Sequence, residues 1–200
     1  LSSTTDLTAL ALAFPNDLGG YDLVMRYWIP EDRILERVRR DRVPYDAWVR
    51  DGWIQATPGD VVDYEWIRHE VHELADRFEI VELAYDPWNA TQLAVQLMGD
   101  GLSLVEMRQG YKTMSPAAKE FERLVVAGRI RHGGHPVLAW NVNNLAIVSD
   151  PAGNIKPDKQ RSREKIDGAV AAIMAIGRAS VQLEGEDANP YASGGFFVLG

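Results

Sequence analysis

Apolar and polar positions change period several times along this chain, and each change marks an element. Leu7 to Phe14 (LTALALAF) is apolar almost throughout, as a buried strand is, and Pro15-Asn16-Asp17 with Gly19-Gly20 supplies the turn after it. Tyr21 to Ile29 is rich in β-branched and aromatic residues and is predicted to return as its hairpin partner. Pro30-Glu31-Asp32 opens a charged helix to about Asp41, Pro44 to Gly52 a second short helix, and Trp53 to Ala56 a short strand closed by Pro58-Gly59. Asp63 caps a long helix to about Phe78, where Ile67, Val71, Leu74, Ala75 and Phe78 recur at helical spacing.

From there strands alternate with helices. A strand over 80–86 stops at Pro87, which has no N–H for a sheet ladder, and Asn89 with Gln92 has the spacing of a capping box for a helix from about Ala90 to Met98. Gly99-Asp100-Gly101 ends that helix, and Leu102 to Met107 is a further strand. Ser115-Pro116 reads as a helix start, running past Phe121, Leu124 and Val125 to about Gly128. After the His132-Gly133-Gly134-His135-Pro136 turn come a short helix (Val137 to Asn144), a strand (Leu145 to Ser149), a polar loop (Pro151 to Gln160) and a last helix (Arg163 to Ala179). The stretch after Ser180 has loop composition and is expected to be disordered or laid over the surface. Residues 1–180 are thus predicted to form one α/β domain, a mixed sheet with helices on both faces, and 181–200 a tail. An antiparallel hairpin entering a βαβ series is the order of the ribonuclease H fold.

Charge and composition narrow the function classes. The net charge is −8 and the pI about 5.0, which argues against non-specific nucleic-acid binding by the molecule as a whole. Carboxylates clustered around divalent cations would give the same balance. The absence of cysteine excludes disulfides and thiolate zinc sites. No apolar run reaches the roughly 18–20 residues that span a bilayer, so no membrane partner is expected. The opening residues read like a domain cut from a longer polypeptide. Positive charge is concentrated: Lys156, Lys159, Arg161, Arg163 and Lys165 fall within ten residues, just before Asp167. Such a run is either a solvated loop or a set of phosphate contacts.

Two acids carry the candidate chemistry. Asp86 ends the strand 80–86 at the mouth of the sheet, where α/β proteins place metal or phosphate chemistry; its bland role is to cap the next turn. Asp167, in Lys165-Ile166-Asp167-Gly168, precedes a helix apolar on all sides, and a carboxylate buried there is costly unless paired or bound to metal. Phosphodiester hydrolysis by two metals needs three or four carboxylates converging on the ions, and Asp suits magnesium. His69 and His72 read as a solvated pair, and His132 and His135 as loop-structural or substrate-side groups. Trp66, Trp88 and Trp140 read as core or interface residues rather than base-stacking platforms. No Walker loop and no G-x-S-x-G motif is present.

Several strings occur in order: Leu1-Ser-Ser-Thr-Thr-Asp-Leu-Thr-Ala9, Ala84-Tyr-Asp-Pro-Trp-Asn-Ala90, Gln109-Gly-Tyr-Lys-Thr-Met-Ser115, Arg129-Ile-Arg-His132, Pro136-Val-Leu-Ala-Trp-Asn141 and Lys165-Ile-Asp-Gly168. Together, over about residues 1–180, the chain resembles the C-terminal nuclease domain of tailed-bacteriophage or prophage terminase large subunits. The resemblance implies a ribonuclease H-like fold and a Mg²⁺- or Mn²⁺-dependent endonuclease, with two ions, that cuts concatemeric double-stranded DNA during genome packaging in the host cytoplasm. It also implies an upstream packaging ATPase domain, and the portal and small terminase subunit as partners. Asp86 matches the family's acid at the end of the central strand and Asp167 the acid on the last helix. The first acid of the family sits just before the Leu-Ser that opens this sequence, and Asp6 matches a second acidic position in the same turn. Lys156 to Lys165 become the expected DNA contacts. The alternative from another class is a non-catalytic DNA-gripping or motor-docking module with an incomplete acid set.

Overall fold

The computed structural model describes residues 7–185 and 194–199. The chain opens with the predicted hairpin, β1 (Thr8–Pro15) and β2 (Tyr21–Pro30), paired antiparallel from Thr8↔Trp28 to Pro15↔Tyr21. A 3-10 turn (Glu31–Arg33), α1 (Ile34–Asp41), α2 (Tyr45–Arg50) and β3 (Gln55–Thr57) follow. Then come α3 (Tyr64–Ala75), β4 (Glu79–Tyr85), α4 (Pro87–Gly99), β5 (Leu104–Glu106) and α5 (Tyr111–Val126). The remainder is β6 (Ile130–Arg131), α6 (Pro136–Asn144), β7 (Ile147–Ser149), β8 (Ile155–Pro157), α7 (Asp167–Gly185) and β9 (Gly194–Leu199).

The main sheet has the order β3-β2-β1-β9-β4-β5, with β6 also pairing β2; β7 and β8 form a separate hairpin. It is mixed: β1 is antiparallel to both neighbours, while β4 runs parallel to β9 and β5. Side-chain alternation along the strands splits the core into two layers. Ala9, Ala11 and Ala13 of β1 and Leu23, Met25 and Tyr27 of β2 pack with α5, α6 and α7 on one face. Leu10, Leu12, Trp28 and Leu83 pack with α3 and α4 on the other. The small β1 residues on the first face let α7 lie close, and α7 itself is buried from Asp167 to Ile176. Helices therefore cover both faces, as the sequence predicted.

Several expectations are corrected. The segment after Ser180 is not all surface tail: α7 continues to Gly185, and β9 lies inside the sheet between β1 and β4. The run Phe196-Phe197-Val198-Leu199 is strongly strand-forming, but Gly and polar neighbours mask it in the composition of the tail. The polar loop 151–160 contains β8. The helix expected at Ser115 begins at Tyr111, so Pro116 sits in its second turn; burial of Met114, Ser115, Ala117 and Ala118 outweighs the helix bond that Pro116 cannot make. The last helix begins at Asp167 rather than Arg163. A bulge between Ile80 and Glu82 breaks the alternation of β4, so Ile80 packs on the α3/α4 face while Ala84 faces α7.

Candidate active site

β4 delivers Asp86. Asp86 accepts a hydrogen bond from the Trp88 N–H at 3.1 Å and caps α4, with Pro87 in the first turn. The cap is thus Asp86, three residues before the predicted Asn89: Pro87 needs no N–H partner at the first helical position, so the helix starts directly after the strand. Asp86 follows directly on the last residue of β4, at the end of the strand.

α7 delivers Asp167. The Tyr21 hydroxyl lies 3.2 Å from Ser180 Oγ, and Gly168 lies against Tyr27, so α7 runs antiparallel to β2. Strands β2, β9 and β4 share one direction. The first residue of α7 therefore lies at the sheet edge where β4 ends. Arg178 of α7 donates through Nη2 to Glu82 Oε2 of β4 at 3.0 Å, with a second bond from Nε, fixing helix to strand. Asp86 and Asp167, 81 positions apart in sequence, thus lie at the same end of the sheet. The start of β1 joins that end, since Leu199 pairs with both Tyr85 and Leu10. Asp6 lies outside the described residues.

Asp167 is only 2% exposed, and its Oδ1 accepts from Lys159 Nζ at 2.6 Å. A buried carboxylate needs such a cation. Asp86 and Asp167 are carboxylates, the oxygen donors that magnesium or manganese prefers. The residues present fit a divalent ion. Among the described residues, no three His, Cys, Asp or Glu side chains come together as a finished cage.

The basic run is less uniform than its sequence suggests. Lys159, Arg163 and Lys165 line a cavity of about 260 Å³ that opens onto Asp167. Lys156 lies 5.2 Å from the Tyr111 ring centroid. The Lys165 charge acts on Asp41, whose carboxyl is held below its usual range chiefly by the Arg40 hydrogen bond. Arg161 makes only a 3.7 Å contact with Asp158 and is largely exposed. Asp158 orders the segment, accepting from the N–H groups of Gln160 and Arg161. The structure adds Arg108 near Asp86 and places Trp88, read from the sequence as core or interface, at the surface. Arg108, paired with Glu106 at 2.5 Å, also feels the Asp86 charge, and Trp88 is 89% exposed, not a core residue.

His72, His132 and His135 make hydrogen-bond contacts within the fold. His72 Nε2 lies 2.9 Å from Asp100 Oδ2, in a cluster with Arg68. His135 caps α6 through Nδ1, accepting from the Leu138 N–H at 3.5 Å, and contacts the rings of Trp53 and Tyr27. His132 Nδ1 accepts from the His135 N–H at 3.0 Å. Burial, then the His132 and Arg26 charges, pull His135 down to about 4. Between that value and its ordinary pKa near 6.5 the unfolded chain binds a proton that the folded one refuses. The stability contributed by neutral His135 is therefore complete above about pH 6.5 and lost as pH falls toward 4. Urea midpoints at pH 7, 5.5 and 4.5 are expected to show this loss, at most about 1.4 kcal/mol per pH unit, with that part absent in His135→Asn.

Comparison with known proteins follows the same lines. Residues 1–183 match the family described as "Terminase large subunit, endonuclease domain". The chain is 42% identical over 182 residues to the terminase large subunit of Enterobacteria phage HK97, covering 90% of this chain and 36% of that protein. It is 32% identical over 189 residues to Protein YmfN of Escherichia coli (strain K12), covering 90% of this chain and 42% of the relative. The crystal structure of the HK97 bacteriophage large terminase superimposes with a TM-score of 0.83 over 89% of this chain and 38% of that one, and the fold is ribonuclease H-like. This chain therefore spans well under half the length of these relatives, and it belongs to the terminase large subunit endonuclease domain family.

Proposed function

We propose that this domain is a divalent-metal-dependent endonuclease that cuts concatemeric double-stranded DNA during viral genome packaging. The observation that supports this reading is that α7 and β4 bring Asp167 and Asp86 to the same end of the sheet, with Asp167 buried beside a cation. Asp86 and Asp167 would hold the metal, with Asp6 and the acid that the family places before Leu1 as further ligands. Bound Mg²⁺ or Mn²⁺, as two ions, would supply an activated water and neutralise charge on the scissile phosphate. Lys159 reaches the same carboxylate from the cavity side and is placed to meet a phosphate oxygen once Asp167 is engaged elsewhere. Burial keeps bulk water from Asp167, so its charge acts in a medium of low dielectric.

Within the whole protein we place an upstream packaging ATPase domain, the portal and the small terminase subunit as partners, and the host cytoplasm as the site of action. No helix of the described residues is long and apolar enough to cross a membrane. The second reading, a non-catalytic DNA-gripping or motor-docking module, is favoured by the absence of a finished acid cage among the described residues. Incubating double-stranded DNA with the full-length protein in Mg²⁺, Mn²⁺ or EDTA separates the two. Cleavage that needs the metal supports the nuclease; binding without cleavage in either metal supports the module.

A further inference from the structure

The first turn of α7 is held by a buried polar contact that the proposed chemistry does not itself use. Asn141 of α6 is fully buried. Its Nδ2 donates to the Lys165 carbonyl at 2.7 Å, and its Oδ1 accepts from the Tyr27 hydroxyl at 3.0 Å. The Lys165 carbonyl lies outside the helix, and Asn141 satisfies it; Ile166 makes the first helical bond, accepting from the Val170 N–H at 2.9 Å. The two bonds also fix the amide's orientation, because only the nitrogen can donate to a carbonyl.

Gly168 presses on the same pair. A Cβ there would fall 1.9 Å from the Tyr27 hydroxyl oxygen and 2.5 Å from Asn141 Oδ1, so no larger residue fits without a shift. The buried Tyr27 hydroxyl donates its proton to Asn141 Oδ1. Three elements, β2, α6 and α7, thus meet at one hydrogen-bonded point directly beside Asp167.

Arg178 pairs with Glu82 and Ser180 meets Tyr21 toward the other end of α7, but between them and Gly168 the helix packs through Ala, Val, Ile and Met side chains. Apolar contact is non-directional and tolerates small rotations of a helix. A metal-binding carboxylate does not: it must be held within about 0.5 Å and 10–20° of its working geometry. We propose that Tyr27 and Asn141 are positioning residues, locking the rotation of the α7 first turn so that Asp167 faces the metal. This rests on the assignment of Asp167 as a metal ligand. The competing explanation is simple core packing.

Mn²⁺ affinity of the folded protein, read from the electron paramagnetic resonance of free Mn²⁺, and amide hydrogen exchange distinguish them. Asp167→Asn reports on the site assignment itself. Tyr27→Phe, a mild change that leaves Asn141 Oδ1 without its donor, is expected to weaken Mn²⁺ binding about 10-fold. Asn141→Leu is expected to weaken it similarly, and the double variant little further, because the two side chains act as one unit. Exchange is expected to quicken at residues 170–173 while β1 and the rest of α7 keep their protection. If Asp167→Asn loses Mn²⁺ but Tyr27→Phe binds it like the parent, the positioning role is overturned and the metal site stands. Uniform loss of protection along α7 and β1 also overturns it, leaving packing alone. If Asp167→Asn itself binds Mn²⁺ like the parent, the site assignment falls and the positioning role falls with it.

Discussion

Asp167→Asn and Asp86→Asn are each expected to abolish metal-dependent DNA cleavage while leaving the fold intact. Asn keeps the shape of Asp but loses the charge that draws a hard cation. Metal stabilisation of the developing charge is worth several kcal/mol, and about 4 kcal/mol is already about a thousandfold in rate. The Asn replacements matter because each acid also has a structural job. Asp86 caps α4, and Asn is as good a cap as Asp, so Asp86→Asn removes the charge and keeps the cap. Asp86→Ala would lose both, with about 1 kcal/mol of stability. Asp167→Asn removes the charge paired with Lys159, whose half-exposed ammonium keeps access to water. The measurement is nicking and linearisation of plasmid in Mn²⁺ by the full-length protein, beside thermal melts of each variant. A variant that melts and cuts like the parent would leave its acid a structural role only.

The strand and helix framework was legible because burial follows periodicity. β1, β2 and α3 fall where the apolar pattern puts them, and Asp63 caps α3 through the Glu65 N–H at 3.0 Å. What the pattern misplaced depends on tertiary burial. Pro116 looked like a first-turn residue, yet Met114 and Ser115 before it are buried and carry the helix back to Tyr111. β9 is a short apolar run in a polar tail, and only its partners Leu10 to Ala13 and Ile80 to Tyr85 make it a central strand.

The site divides in the same way. Asp86 and Asp167 stood out locally, one by its place before Pro87 and one by its apolar helix. Their placement at one end of the sheet rests on the direction of α7, which is set by contacts such as Tyr21 with Ser180 that no local window contains. Tyr27, Asn141 and Arg108 carried no local signal. Tyr27 is one of several aromatics in an apolar strand, and Asn141 one of several Asn in a helix. Each is distinguished only by its partner across the fold.

Replacing Arg161 and Arg163 together by Ala is expected to weaken DNA binding by a similar factor on unrelated sequences. A protein of net charge −8 repels a duplex at long range, so contact with phosphates must come from a local basic segment. Within that segment the residues are unequally available. Lys159 is paired with Asp167, and the Lys165 charge acts on Asp41. Arg161 and Arg163 are exposed, and the single 3.7 Å contact of Arg161 with Asp158 is a surface pair of little worth. Their segment is anchored at one end by Asp158 and at the other by α7, so the guanidinium groups can follow the backbone of a duplex while Asp167 stays fixed. Removing one arginine–phosphate pair lowers the slope of log affinity against log salt by roughly 0.9, so the double variant should flatten it by about 1.8. Fluorescence anisotropy in EDTA, stepped from about 50 to 200 mM salt over the range where such pairs matter most, measures this without cleavage. Binding equal to the parent's at every salt concentration would make these arginines a solvated surface, and the search for the phosphate track would move to Arg108 and the exposed Trp88 beside Asp86.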